Sequence, residues 1–167
     1  MASGLDNGLA LRIFREDDLT AICQLVSETI DCSYEGVYPG NAIAFFKDYH
    51  SPENILSDAR SGLTLVAHLD GELVATGTLL GTNVRRVFVR PDRQGRGIGG
   101  ILMHRLEEEA TSLEILALDL SSSLPAKEFY LALRYEIVSE ENTDEGGGET
   151  LRYFEMAKRL TLTSSSP

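Results

Sequence analysis

The sequence predicts an α/β protein built on a mixed, mostly antiparallel sheet of about seven strands, flanked by about four helices. Two observations indicate this class. The dipeptide Asp70-Gly71 joins strand-like runs at 63–69 and 72–80, and Asp-Gly is a strong hairpin signal. A glycine-rich loop then leads from the next strand, at 84–89, into an amphipathic helix. The strand after that helix is therefore expected to lie parallel to the strand before it.

The elements before the hairpin follow from periodicity and capping residues. Residues 9–14 alternate apolar and polar side chains and predict a first strand. A helix is expected to begin at Asp17 or Asp18, since either residue can cap it. Ser51-Pro52 predicts a second helix, because serine caps helices and proline is tolerated in the first turn. Gly62 is expected to end that helix.

The segment 31–50 contains five of the chain's twelve phenylalanines and tyrosines, together with a histidine. Gly36, Pro39 and Gly40 interrupt any regular structure at its centre. One interpretation is an irregular lid or wall over a small-molecule pocket. The other is that the aromatic rings pack in the core and cover its edge.

The second half of the chain predicts three more strands and one more helix. The almost continuous apolar run at 113–120 is typical of a buried strand in a parallel pair. Pro125 marks a helix start, and residues 135–138 and 151–156 read as the last two strands. The acidic, glycine-rich loop at 141–149 between them is expected to be mobile.

Length and composition predict one domain over residues 9–160, with flexible tails at 1–8 and 161–167. The chain of 167 residues is 43% hydrophobic and 25% charged, and no apolar run approaches the ~20 residues of a membrane span. No secretory signal is recognisable, and Cys23 and Cys32 fit no metal-binding or redox spacing. These features favour a cytoplasmic protein without a metal site or a membrane association.

One stretch departs from the acidic character of the chain. A net charge of −11 argues against nucleic acid as a partner and weakly favours a cationic substrate such as an amine. Yet six arginines and one aspartate lie between residues 85 and 105, around Gly95, Gly97, Gly99 and Gly100. A glycine-rich backbone at a helix start can bind an anion through free N–H groups. The stretch therefore predicts a specific polyanionic ligand.

The glycines also fit a dinucleotide fingerprint, Gly95-x-Gly97-x-x-Gly100, with Asp119 near the ribose-binding position. Two observations count against this alternative. The spacer 91–94 separates strand from loop, and an antiparallel hairpin precedes them. A dinucleotide-binding oxidoreductase is therefore the weaker interpretation. A nucleoside triphosphate loop is excluded because no Gly-Lys-Ser/Thr follows.

A different spacing carries a family resemblance. The sequence Val87-Phe88-Val89-Arg90-Pro91, followed by Gln94-x-x-Gly97-x-Gly99, resembles the acyl-CoA motif of the Gcn5-related N-acetyltransferase (GNAT) superfamily. Ala126-x-x-Phe129-Tyr130-x-x-Leu133-x-Tyr135 resembles its second signature, although Arg134 replaces the usual glycine. The resemblance covers nearly the whole chain. It implies a parallel central strand pair that splays apart, acetyl-CoA as co-substrate without a metal, an amine acceptor, and dimers as a common assembly.

The resemblance also implies which residues contact coenzyme A. The pyrophosphate would lie on backbone N–H groups of the glycine loop, with Arg93 or Arg96 neutralising its charge. The pantetheine arm would pair with the backbone of the preceding strand as an added strand does. The implied contacts are Val87, Phe88, Val89, Gln94, Gly95, Arg96, Gly97, Ile98, Gly99, Gly100 and Ser123. Ser123 stands where the family often has asparagine.

For catalysis, the resemblance implies that Tyr130 is the general acid that protonates the leaving thiolate. The backbone N–H of Val89 or Phe88 would stabilise the oxyanion. Many family members place a glutamate base where this chain has Asn83, which cannot accept a proton at neutral pH. Asp119 is therefore the weak candidate for the base.

Further candidates for the base are Glu72, His50 and Glu35, and an acceptor amine of low pKa needs none. Substrate contacts are expected from Tyr34, Tyr38 and Asn83. Because the usual glutamate is missing, a second function stays open: a module of the same fold that binds acyl-CoA as a sensor without turnover.

Overall fold

The computed structural model describes residues 8–144 and 150–161. Its strands are β1 (Ala10–Ile13), β2 (Leu63–Leu69), β3 (Glu72–Leu80), β4 (Asn83–Val89), β5 (Ala117–Ser123), β6 (Glu136–Asp144) and β7 (Thr150–Arg159). Its α-helices are α1 (Leu19–Tyr34), α2 (Gly40–Tyr49), α3 (Pro52–Ser61), α4 (Ile98–Ser112) and α5 (Lys127–Ala132). Two short 3₁₀ turns, Glu16–Asp18 and Pro91–Arg93, precede α1 and the glycine loop.

The strands form one sheet in the order β1-β2-β3-β4-β5-β7-β6. Every neighbouring pair is antiparallel except β4 and β5, which are parallel. Among the described residues these two strands pair at one position, Asn83 with Asp119. Beyond it they diverge, while β4 stays paired with β3 and β5 with β7. The predicted mixed sheet with a splayed parallel pair is therefore confirmed.

The segment 31–50 is more regular than predicted, because α2 occupies its second half and raises the helix count to five. The breaking residues all come before or at the start of this helix, with Pro39 at its N-cap position. The aromatic rings then follow at helical spacing. Phe46 lies with its ring centroid 4.7 Å from that of Tyr34 and 5.1 Å from that of Tyr38. This packing makes α2 regular where local signals indicated a loop.

The strand predicted at 113–120 begins four residues late, at Ala117. Helix α4 runs to Ser112, and the chain then turns through Glu114 with φ 60°. Leu113 and Leu116 are 67% and 62% exposed, so these two leucines of the apolar run do not belong to the core. The last two strands are longer than predicted and take up the start of the expected loop. The rest of that loop, 145–149, and the tails at 1–7 and 162–167 lie outside the described residues.

Two hydrophobic clusters cover the two faces of the sheet. One lies between the sheet and α4 and includes Leu102 and Leu106. The other lies between the sheet and α1–α3 and includes Ile22 and Ile55. Each cluster contains residues from both sides of the β4–β5 gap, so packing holds the two halves of the sheet together where backbone pairing ends. None of the described helices is long and apolar enough to cross a bilayer.

Gly62, at the end of α3, is required by close packing. A Cβ added there would lie 2.4 Å from the Leu79 carbonyl oxygen. Because a backbone atom cannot move aside easily, we expect Gly62→Ala to lower the free energy of unfolding by about 1–3 kcal/mol in urea titrations. Gly40→Ala is the matched control. Nothing lies within 4 Å of that Cβ position, so we expect a gain of about 0.4–1 kcal/mol. Equal stability of the two variants would contradict the packing argument.

Candidate active site

A cavity of about 760 Å³ lies where β4 and β5 diverge. Its walls come from both strands, the glycine loop, the start of α5, and the aromatic residues of α1 and α2. It extends from the positively charged loop at one end to Asn83, Arg85 and His50 at the other. The splay therefore creates a continuous cleft through the sheet, long enough for an extended ligand.

The glycine loop forms the outer end of this cavity. Gly95 and Gly97 have φ values of 76° and 86°, a conformation that side chains disfavour. Gly97 is the N-cap of α4, so the first N–H groups of the helix have no intrahelical partner. Most of the predicted loop contacts line the cavity: Gln94, Gly95, Gly97, Ile98, Gly99 and Gly100. Arg96 is exposed and does not line it, whereas Arg93 does.

Gly99 links the loop to the second signature. A Cβ at Gly99 would lie 3.0 Å from the Phe129 ring, so the absence of a side chain lets α5 pack directly on the start of α4. Phe129 thereby covers the loop, and Tyr130 beside it lines the cavity. The predicted Ser123, at the end of β5, also lines the cavity.

The open edge of β4 is the inner wall of the cavity. The Arg90 N–H donates to the Val74 carbonyl of β3 at 2.8 Å. Backbone groups alternate along a strand, so the Phe88 N–H also faces β3 and the Val89 N–H faces the gap. Of the two oxyanion donors that the sequence left open, the geometry therefore favours Val89. The Val89 carbonyl already accepts from Gln94 Nε2 at 2.9 Å.

Tyr130 is buried and lines the cavity close to Tyr34. Within the described ranges, no hydrogen bond engages the Tyr130 hydroxyl. Burial raises the pKa of Tyr130, and Tyr34 adds to the shift. Burial also raises the pKa of Tyr34, while the Ser123 hydroxyl lowers it in part. Tyr130 therefore keeps its proton at neutral pH and is available as a donor.

Asn83 connects Asp119 to Arg85. Asp119 accepts hydrogen bonds from Thr82 Oγ1 and from Asn83 Nδ2, both at 2.7 Å. Arg85 Nε donates to Asn83 Oδ1 at 2.8 Å. Asn83 lines the cavity, but Asp119 does not. The Asp119 carboxylate, which was proposed as a base, thus accepts hydrogen bonds with both of its oxygens. These bonds link β5 to the start of β4.

Two other proposed bases also lie away from the cavity. Glu72 forms an exposed ion pair with Arg90 at 2.9 Å, and Glu35 is exposed at the end of α1. No aspartate or glutamate is found among the described residues that line the cavity. Of the residues proposed as bases, the structure brings His50 alone into it.

A β-bulge in β4 adds a feature that the sequence analysis missed. Arg85 pairs with Thr78 and Phe88 with Thr76, so Arg86 and Val87 together oppose Gly77. Arg86 takes a φ of 55°, which is unusual for a residue other than glycine. The bulge allows two consecutive arginines to reach the same carboxylate on α3. The consecutive arginines within a predicted strand were the one signal in the sequence.

That carboxylate is Asp58. Arg86 Nη1 lies 2.9 Å from Asp58 Oδ2, and Arg85 Nη1 lies 3.5 Å from the same oxygen. The Arg86 side chain is 2% exposed, and its Nε donates to His50 Nδ1 at 3.1 Å. Burial lowers the pKa of His50 to about 3, with a further contribution from the charge of Arg86. His50 is therefore neutral at physiological pH and carries its proton on Nε2.

Tyr38 has a different place from the one expected. Its hydroxyl accepts from the Leu124 N–H and donates to the Arg152 carbonyl, both at 2.8 Å. Burial raises its pKa to about 12. Tyr38 does not line the cavity, whereas Tyr34 and Asn83 do. Tyr38 thus fastens the turn after α1 to the loop before α5 and to β7.

The sheet, its one parallel pairing and the glycine loop define an α/β protein with a cleft between the two parallel strands. A sequence profile of the acetyltransferase (GNAT) domain matches residues 28–160. The match covers well over half of the chain, so the protein belongs to the GNAT acetyltransferase family. A comparison with curated proteins found no match.

Solved structures share the fold over nearly the whole chain. A GCN5-related N-acetyltransferase from Rhodopseudomonas palustris is 24% identical with a TM-score of 0.84, over 94% of this chain and 99% of that one. The PaiA N-acetyltransferase from Thermoplasma acidophilum, solved in complex with coenzyme A, is 20% identical with a TM-score of 0.71 (92% and 99% covered). The ribosomal-protein-S18-alanine N-acetyltransferase from Escherichia coli is 15% identical with a TM-score of 0.70 (95% and 98% covered).

The neutrality of His50 generates a prediction about pH. The folded pKa of about 3 lies below the value of about 6.5 in an unfolded chain. As pH falls below about 6.5, the unfolded state takes up the proton first, so stability present above that pH is lost between about 6.5 and about 3. We expect His50→Gln, which can still accept from Arg86, to make the free energy of unfolding less dependent on pH over this range.

Proton NMR provides the direct measurement. The His50 ring signals should not titrate between about pH 7.5 and about 4.5, and His50→Gln identifies them by their disappearance. His104→Gln, on the exposed side of α4, is the matched control and should leave the flat signals in place. A titration midpoint of the His50 signals near neutral pH would show that the ring is more accessible to water than the structure indicates.

Proposed function

We propose that the protein is an N-acetyltransferase that moves the acetyl group of acetyl-CoA to a primary amine by direct attack in a ternary complex. One observation supports this above the others. The glycine loop at the start of α4 and the buried, protonated Tyr130 line the same cavity. Such a cavity can hold a polyanion at one end and donate a proton at its centre.

The residues present fit coenzyme A. A Cβ atom added at Gly97 or at Gly100 would have no other atom within 4 Å. A phosphate can therefore approach the backbone closely at these glycines. Arg93 lines the same end of the cavity and can neutralise phosphate charge. The Val89 N–H faces the gap where the pantetheine arm would extend. When bound, acetyl-CoA supplies the thioester that is to be cleaved.

In the reaction, the amine nitrogen forms a bond to the acetyl carbon and the carbon–sulfur bond breaks. The sulfur takes up a proton, which Tyr130 donates and recovers from solvent. The amine loses its proton to water, because no described residue of the cavity is a carboxylate and His50 is a weak base. This chemistry favours acceptors whose amine has a pKa nearer the ~8 of an α-amine than the ~10.4 of lysine.

The second candidate is an acyl-CoA sensor without turnover. The observation that favours it is the amide of Asn83 at the place where many family members have a glutamate. Incubation with acetyl-CoA and a panel of amines, followed by measurement of free thiol, separates the two. Saturable binding without thiol release across the panel would exclude the enzyme function for those acceptors and favour the sensor.

Several expectations stay predictions: the cytoplasmic location, the single domain at 9–160 and the homodimer. The expectation that the protein binds no nucleic acid, membrane or metal also stays a prediction. Each follows from composition or from the family resemblance.

The first prediction from this function concerns Tyr130. We expect Tyr130→Phe to lower kcat roughly a hundredfold, since a general acid contributes about that much, while the Kd of acetyl-CoA changes by less than about twofold. Stopped-flow thiol detection and calorimetry measure the two quantities. Tyr135→Phe is the control: this phenol donates to Glu107 at 3.0 Å outside the cavity lining. It should lose stability and keep kcat. An unchanged kcat for Tyr130→Phe would show that Tyr130 is not the general acid.

The second prediction concerns the phosphate end. Gly100 is in the first turn of α4, at a position with room for a side chain. An aspartate there is favourable for the helix itself, but it places a negative charge against the bound phosphates. We expect Gly100→Asp to weaken acetyl-CoA binding by roughly tenfold or more, measured by calorimetry. Gly100→Ala tests the steric effect alone and should bind nearly as the natural chain does. Equal affinity for both variants would place the phosphates elsewhere.

A further inference from the structure

The inner end of the cavity, away from the glycine loop, is cationic. Two guanidinium groups, of Arg85 and Arg86, lie there beside the carboxylate of Asp58. Asp58 neutralises one of them. Asp119 lies outside the cavity lining, and both of its oxygens already accept hydrogen bonds. The lining at this end therefore keeps one positive charge. The other polar residues at this end, Asn83 and His50, are neutral. A site for a purely cationic acceptor would present the opposite charge.

The two arginines have different roles. Arg86 is 2% exposed and is held by Asp58 at 2.9 Å and by His50 at 3.1 Å. Arg85 is 29% exposed and lies 3.5 Å from Asp58, so much of its hydrogen-bonding capacity is free for a ligand. Arg86 is therefore a structural charge, and Arg85 is the group that a ligand reaches.

The fold holds Arg85 in that position. Its Nε donates to Asn83 Oδ1, and Asn83 in turn donates to Asp119 across the strand pairing. The remaining guanidinium nitrogens are left to face Asp58 and the cavity. A guanidinium fixed in this way matches the planar, two-oxygen geometry of a carboxylate.

We propose that the acceptor is an amine that also carries a carboxylate, and that Arg85, with the charge of Arg86 beside it, binds that carboxylate at the inner end of the cavity. The inference rests on the proposed acetyltransferase function and specifies its substrate class. It replaces the cationic substrate that the net charge of −11 weakly favoured, because a local charge at contact distance outweighs a screened net charge.

The experiment compares matched acceptors, an amino acid or short peptide and the same molecule with its carboxylate converted to a carboxamide. Thiol release gives kcat/KM for both. We expect the natural protein to prefer the acid by about tenfold or more, as a charge-assisted hydrogen bond provides. Arg85→Gln, which still donates toward Asn83, should bring the ratio close to one. Arg85→Lys should keep part of the preference for the acid, because it keeps the positive charge but loses the paired N–H donors of the guanidinium group.

Arg105→Gln is the matched control, since it removes the same charge from an exposed position on α4 outside the cavity. It should keep the natural ratio. The proposal is overturned if the natural protein uses the carboxamide or an uncharged amine as well as the acid, or if Arg85→Gln keeps the preference. Thiol release with those acceptors would leave the acetyltransferase function itself intact.

If no acceptor releases thiol, the acetyltransferase function fails separately. Calorimetric binding of the acid and the carboxamide to the protein loaded with coenzyme A then decides the inference. Tighter binding of the acid, abolished in Arg85→Gln, supports it. Equal binding overturns it.

Discussion

The centre of this sheet depends on a single parallel pairing, between Asn83 and Asp119. Side chains reinforce it, because Asn83 and Thr82 both donate to the Asp119 carboxylate. In the described part of the chain the two strands have no further pairing beyond this point. The hydrophobic clusters on both faces hold the halves of the sheet together. The cavity exists because the pairing stops there. Asn83 also accepts a hydrogen bond from Arg85 Nε. The residues that join the two halves of the sheet therefore also position a charged group at the inner end of the cavity.

The bulge in β4 is the second constraint, and it couples packing to charge. Gly77 lies opposite the bulge, and a Cβ there would be 3.1 Å from Leu106 and 3.2 Å from Leu102 of α4. Helix α4 thus packs closely against Gly77 on one face of the sheet. On the neighbouring strand, Arg86 takes the left-handed conformation. Such a conformation costs about 1–2 kcal/mol for a residue with a side chain. The ion pair with Asp58 and the hydrogen bond to His50 hold the Arg86 side chain in place above this backbone conformation.

The sequence predicted the parts of the fold that local signals encode. The hairpin at Asp70-Gly71, the capped start of α3 and the glycine loop depend on neighbouring residues, and each lies where it was expected. Helix α2 was missed because contacts with α1 stabilise it after a run of breaking residues. The cluster of Arg86, Asp58 and His50 was missed for a related reason. Its members come from β4, from α3 and from the residue that follows α2, and a bulge that no periodicity reveals brings them together.

The cationic inner end also bears on the missing base. Asp58 neutralises one of the two guanidinium groups, and the carboxylate of a bound acceptor would neutralise the other. The amine of that acceptor would therefore lie in a field of little net charge, and the arginines would not deprotonate it. A neutral His50 and the amide of Asn83 add no charge that would stabilise the ammonium form. In such a site the neutral amine has to come from the acceptor itself, which an α-amine with a pKa of about 8 supplies more readily than a lysine.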